Sequence, residues 1–153
     1  MASKMGAITD AVAAVLNQDP PPVAIGATAV PTWRASWTAV ELAELRVAVT
    51  PGPAAYTRTS RATLLAVPST DLIFAKRVDP TVNSQVDALA AIAEAAAEYF
   101  AETYASAHLV SGDVEAKLVE PPRFVSPDEA AVDAKLLGDQ RVALLAVRLT
   151  WWM

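Results

Sequence analysis

Acid–base and metal chemistry in proteins runs mostly on histidines, carboxylates and thiolates. This chain has one histidine, His108, and no cysteine. Disulfides, thiolate nucleophiles and cysteine-based zinc or iron–sulfur sites are therefore excluded. His108 follows the expected end of a long helix, where a cationic side chain suits the helix dipole. Its preferred reading is a helix-end residue, and no Gly-x-Ser-x-Gly elbow presents a serine to it. The five glycines stand singly, so no phosphate-cradling loop or dinucleotide fingerprint can be assembled.

Carboxylates are more plentiful. Glu94, Glu98 and Glu102 recur every four residues on one helix face with no base between them. Like charges at that spacing cost a helix roughly 0.2–0.5 kcal/mol per pair. A solvated face is the plain reading, and a lining for an acidic lumen the sharper one. Asp128, Glu129 and Asp133 offer oxygens, but they sit at an expected helix start and lack the spacing of a calcium-binding loop. The sequence nominates no catalytic, cofactor-binding or metal-ligating residue.

The elements that must position these residues follow from periodicity. The 153 residues fit one domain, 1–153. Residues 6–16 repeat apolar positions at helical spacing, and Pro20-Pro21-Pro22 ends that helix. Residues 23–30 predict a strand ended by Pro31, and 40–45 one helical turn. Residues 46–50 alternate as a strand up to Pro51-Gly52-Pro53. Residues 51–61 are expected to form a mobile polar loop.

Residues 62–67 and 71–78 are strand-like, and the second is apolar on both faces, which places it centrally in a sheet. Ser84 is expected to open the main helix, which carries Val86, Leu89, Ala93, Ala96, Phe100 and Tyr104 as one stripe. A strand at 114–119, a short helix capped by Ser126 and a long strand at 140–152 complete the order. The fold class is α+β. An antiparallel or mixed sheet of about four to five strands packs against a long central helix, with short helices in the N-terminal part and the C-terminal half.

Adjacent strand residues point to opposite faces, so Trp151 and Trp152 cannot enter one core face together. One of them is expected outside the core, as a frayed end or as an interface anchor. The net charge is −5 and no basic run exists, which argues against tight nucleic-acid binding. No aliphatic run, 142–147 included, exceeds six residues, far short of a membrane span.

Four stretches together resemble a family of small virion proteins of long-tailed bacteriophages, the tail terminator, tail completion or neck proteins. They are residues 8–22, residues 41–51, Ile73-Phe74-Ala75-Lys76-Arg77-Val78-Asp79 with the helix start behind it, and residues 141–150. The long polar stretch 56–61 and the closing Trp-Trp-Met depart from the family pattern.

The resemblance implies a non-enzymatic ring subunit, commonly hexameric, at the head-proximal end of a phage tail. Its homo-oligomer would meet the tail tube protein and a head–tail connector or neck protein. DNA would pass through the lumen without tight binding. No cofactor and no membrane are implied. The location would be the virion tail or neck, reached from the host cytoplasm during assembly. Interface candidates are Tyr56, Arg58, Arg61, Lys76, Arg77, Trp151 and Trp152, with Glu94, Glu98 and Glu102 as a lumen or solvent face. A head–tail joining or tail tube subunit is the near alternative. A small carboxylate/Mg²⁺ hydrolase is the remote one.

Overall fold

A computed structural model describes residues 3–58, 60–61, 64–79, 81–111, 114–137, 139 and 141–152. Its elements are α1 (Lys4–Leu16), β1 (Ala29–Pro31), β2 (Arg46–Pro51), β3 (Ala55–Arg58), β4 (Leu64–Val67), β5 (Ser69–Arg77), α2 (Asn83–Tyr104), β6 (Leu109–Ser111), β7 (Val114–Leu118), β8 (Arg123–Val125), α3 (Ala134–Leu137) and β9 (Val142–Trp152). Single 3₁₀ turns lie at Glu41–Ala43 and Pro127–Glu129.

The main sheet is mixed and seven-stranded, in the order β1-β2-β5-β9-β7-β6, with β8 also paired to β9. Among the described strands of this sheet only the β1–β2 pair is parallel. The expectation of four to five strands was an undercount. β6 and β8 are three residues each, too short for alternation to show. β5 lies between β2 and β9, as its two apolar faces predict.

Alternation sorts the sheet into two buried faces. On the inner face Val47, Val49, Leu72, Phe74, Val147, Leu149 and Trp151 meet α1 and α2 in one core. Helix α1 contributes Ile8, Val12, Val15 and Leu16. Helix α2 contributes Leu89, Ala93, Ala96, Phe100 and Tyr104. Val86, expected in the same stripe, is 36% exposed. α1 and α2 share the inner face, so α2 does not stand alone at its centre. α1 touches both β1 and β6, so the sheet curls around it. The outer face is covered more thinly. Ala48, Ile73, Ala75 and Ala146 meet Leu42, Val125, Val132 and Leu136 there.

Local expectations were corrected in four places. Ser84 does not cap α2. The cap position is Val82, with no side-chain bond. Instead Gln85 Oε1 accepts from the Asp79 amide at 2.8 Å, and Asp79 Oδ1 accepts from the Thr81 amide and hydroxyl. Those bonds, the hydroxyl's first, hold the Asp79 carboxyl below its usual range. The strand expected at 23–30 is only Ala29–Pro31. The helix expected after Ser126 divides into a 3₁₀ turn and α3, and the Ser126 hydroxyl bonds Asp128 instead of an amide. Residues 51–61 are not a loop throughout, because Ala55–Arg58 pairs with Leu64–Val67.

The tryptophan pair divides as strand geometry requires. Trp151 is 0% exposed and Trp152 is 46% exposed. Trp151 lies edge-on to Phe100 and Tyr104, and its indole N–H donates to Thr70 Oγ1 at 3.2 Å. Desolvation there, with the Tyr99 phenol beside it, pushes the Tyr104 phenol up to about 12. Replacing Trp151 by alanine is expected to cost about 3–5 kcal/mol by denaturant titration. Trp152→Ala is expected to stay within about 1 kcal/mol of the parent protein.

Candidate functional site

The segments that project from the main sheet gather at one end of it. β2 and β5 form an antiparallel pair, Pro51 opposite Thr70. Beyond Gly52 and Pro68 the same two chain segments pair again as β3 and β4, Ala55 opposite Val67. The result is a two-stranded ribbon outside the seven-stranded sheet. Its base lies against the end of β9, where the Trp151 amide donates to Pro68 O at 2.8 Å.

A buried polar row anchors that base. Thr50, Asp71 and Arg148 are directly opposed on β2, β5 and β9, and all three are buried. Arg148 grips Asp71 bidentately, Nε to Oδ1 at 2.9 Å and Nη2 to Oδ2 at 3.2 Å. Nη2 also donates to Glu129 O at 3.2 Å, tying the outer layer to the sheet. The Asp71 hydrogen bond, against desolvation, raises the Arg148 guanidinium further above its ordinary range. Gly52 closes over the pair. A Cβ there would stand 2.4 Å from Ser69 Oγ and 3.2 Å from both Asp71 oxygens. The Ser69 hydroxyl donates to Pro53 O and holds the bend at which the ribbon leaves the sheet. Thr50 Oγ1 is buried with no hydrogen-bond partner among the described residues.

Beside the ribbon base the outer sheet face is uncovered among the described residues. His108, Glu115, Lys117 and Trp152 line a shallow cleft of about 470 Å³. Val110, 60% exposed, sits next to it, opposite Glu115. His108 is thus a surface residue on the approach to β6, as a helix-end reading expects.

The sequence-nominated residues divide into three places. Trp152 joins the ribbon base, but Trp151 is core and leaves the set of interface candidates. Its indole is committed to Phe100, Tyr104 and Thr70. Arg61 is exposed, while the side chains of Tyr56 and Arg58 lie outside the described residues. Lys76 and Arg77 are exposed at the other end of β5, roughly 25–30 Å away at about 3.4 Å per residue. Glu94, Glu98 and Glu102 are exposed along α2. A larger open groove of about 880 Å³ runs beside β1, with Arg34, Arg46, Glu41 and Glu44 among its lining. Arg46 is already engaged there, donating from Nε to Glu41 O.

Among the described residues no three His, Asp or Glu side chains gather as a metal-binding group, and no helix is long and apolar enough to cross a membrane. Sequence reasoning missed Asp71 and Arg148, whose burial shows only once β5 and β9 are paired. No protein-family model matches the chain, and no curated protein aligns with it significantly.

Removing one partner of a buried ion pair leaves the other charge uncompensated. Asp71→Ala is therefore expected to lose about 3–5 kcal/mol, and Asp71→Leu with Arg148→Met to regain most of it. Urea unfolding of the three proteins checks this.

Proposed function

We propose that this chain is a structural ring subunit at the head-proximal end of a long-tailed phage tail, where it ends tube growth and joins the tail to the head connector. The observation that carries the reading is the β3–β4 ribbon. An isolated two-stranded ribbon is marginally stable in water, because it buries too little. A chain that builds one beyond its own core is built to be completed by a neighbour. The cluster of β6, Trp152 and Val110 at the same end adds exposed apolar surface of the kind subunit interfaces use.

In this reading Glu94, Glu98 and Glu102 face the lumen or solvent. Together with the net charge of −5 they keep DNA moving rather than bound. Lys76 and Arg77, at the far end of β5, address a different neighbour from the one that meets the ribbon. The protein needs no catalytic group for this work. A ribbon also suits a tail tube or head–tail joining subunit, whose stacking uses projecting segments. The carboxylate/Mg²⁺ hydrolase reading draws no support, since its acids do not converge among the described residues.

Negative-stain imaging of the purified chain, alone and mixed with tail tubes of the phage that encodes it, tests the proposal. The expected result is rings, free or seated on one end of the tube, with tube length fixed. A chain that stays monomeric and leaves tube ends bare and tube length unchanged contradicts it.

A further inference from the structure

The two terminal strands of the main sheet are finished differently. β1 is sealed. The Asn17 side chain donates to Ala29 O and accepts from the Ala29 amide, both at 2.8 Å, and Pro31 has no N–H to offer. Edge strands of stable monomers are commonly blocked by such devices, or by charge. β6 has neither. Its residues Leu109, Val110 and Ser111 are uncharged, and among the described residues its backbone bonds no strand but β7. The inner face of β6 is closed, with Leu109 buried in the α1 core, while Val110 stands exposed on the outer face.

The ribbon is unfinished in the complementary sense. β4 is flanked by β3 and, at its base, by β9. Among the described residues β3 has β4 on one side and no strand on the other. Charge favours joining these two edges. The segment 51–70 carries Arg58 and Arg61 and no acid, whereas 106–119 carries Asp113 and Glu115 against Lys117.

We infer that strand β3 of one copy of this chain adds to the edge of β6 in a second copy, so that the ribbon becomes part of the neighbour's sheet. Such strand addition draws its affinity from main-chain hydrogen bonds. It gives the ribbon the further strands that an isolated hairpin lacks. It is also heterologous, one surface meeting a different surface, which generates a ring when the rotation closes. The inference rests on the self-association half of the proposed function and not on the tail location.

The absence of native cysteine makes the test clean. Directly paired strands bring Cα atoms to about 4.5–5.5 Å, within disulfide reach. A protein carrying Val110→Cys is mixed with one carrying Thr57→Cys, or with one carrying Arg58→Cys, and oxidised mildly. At least one of the two mixtures is expected to give a crosslinked dimer in high yield, falling as salt is raised. Either pairing partner mixed instead with Val30→Cys, on the sealed edge, is expected to give none. Val110→Lys, which places a blocking charge on an exposed site, is expected to leave the circular dichroism spectrum unchanged and to reduce the mass in light scattering to that of a monomer. The inference is overturned if neither mixture crosslinks, if the Val30 control crosslinks equally, or if Val110→Lys assembles like the parent. Crosslinking without tube capping would sink the tail reading and leave this one standing.

Discussion

The pairing of β5 with β9 is the constraint on which the rest of the molecule depends. Nine residues of each strand oppose one another, from Ser69–Thr150 to Arg77–Val142. A slip of one residue would turn every side chain to the wrong face. Two polar contacts fix the register. Asp71 meets Arg148 on the outer face, and Thr70 receives the Trp151 indole N–H on the inner one. A slipped register would bury the Asp71 carboxylate and the Arg148 guanidinium apart, at a cost of several kcal/mol each. Apolar pairing alone would tolerate more alternatives. The ion pair is better understood as setting the register than as a source of net stability.

From that register the outward-facing features follow. Once Ser69 is opposite Thr150, Pro68 and the Trp151 amide meet, and β4 must leave the sheet beside Trp152. Gly52 is the residue that lets β2 bend with it, because a side chain there would enter the Asp71 site. The ribbon, the exposed indole and the open β6 edge are therefore placed at one end by the same contacts that hold the core. The opposite edge has no such freedom. Asn17 ends α1 and binds β1 in one step, so the helix C-terminus doubles as an edge seal.

Strong periodicity was legible in the sequence. The α2 stripe, the central position of β5, the long last strand and the division of the tryptophan pair all follow from 3.6- and 2-residue spacing. What escaped has physical reasons. β6 and β8 are too short to alternate. β3 contains Thr and Arg and follows two prolines, so its composition is that of a loop, and only pairing with β4 makes it a strand. Asp71 opens a strand-like run and looks like a solvated end. Its burial is decided by a residue 77 positions away. Asn17 bonds a strand 12 residues on, a pairing that no local pattern announces. Of the candidate interface residues, the strand-face argument required one tryptophan to be outside. The structure identified it as Trp152.

Native-state hydrogen exchange as a function of protein concentration tests most directly whether the core is complete within one chain while the ribbon is completed by another. Amides of β5 and β9 are expected to exchange only through global unfolding at every concentration. Amides of β3 and β6 are expected to exchange readily in dilute protein and to become protected as concentration rises. Exchange in β3 and β6 that is as slow as in β5 in the monomer, or that does not change with concentration, would contradict the account.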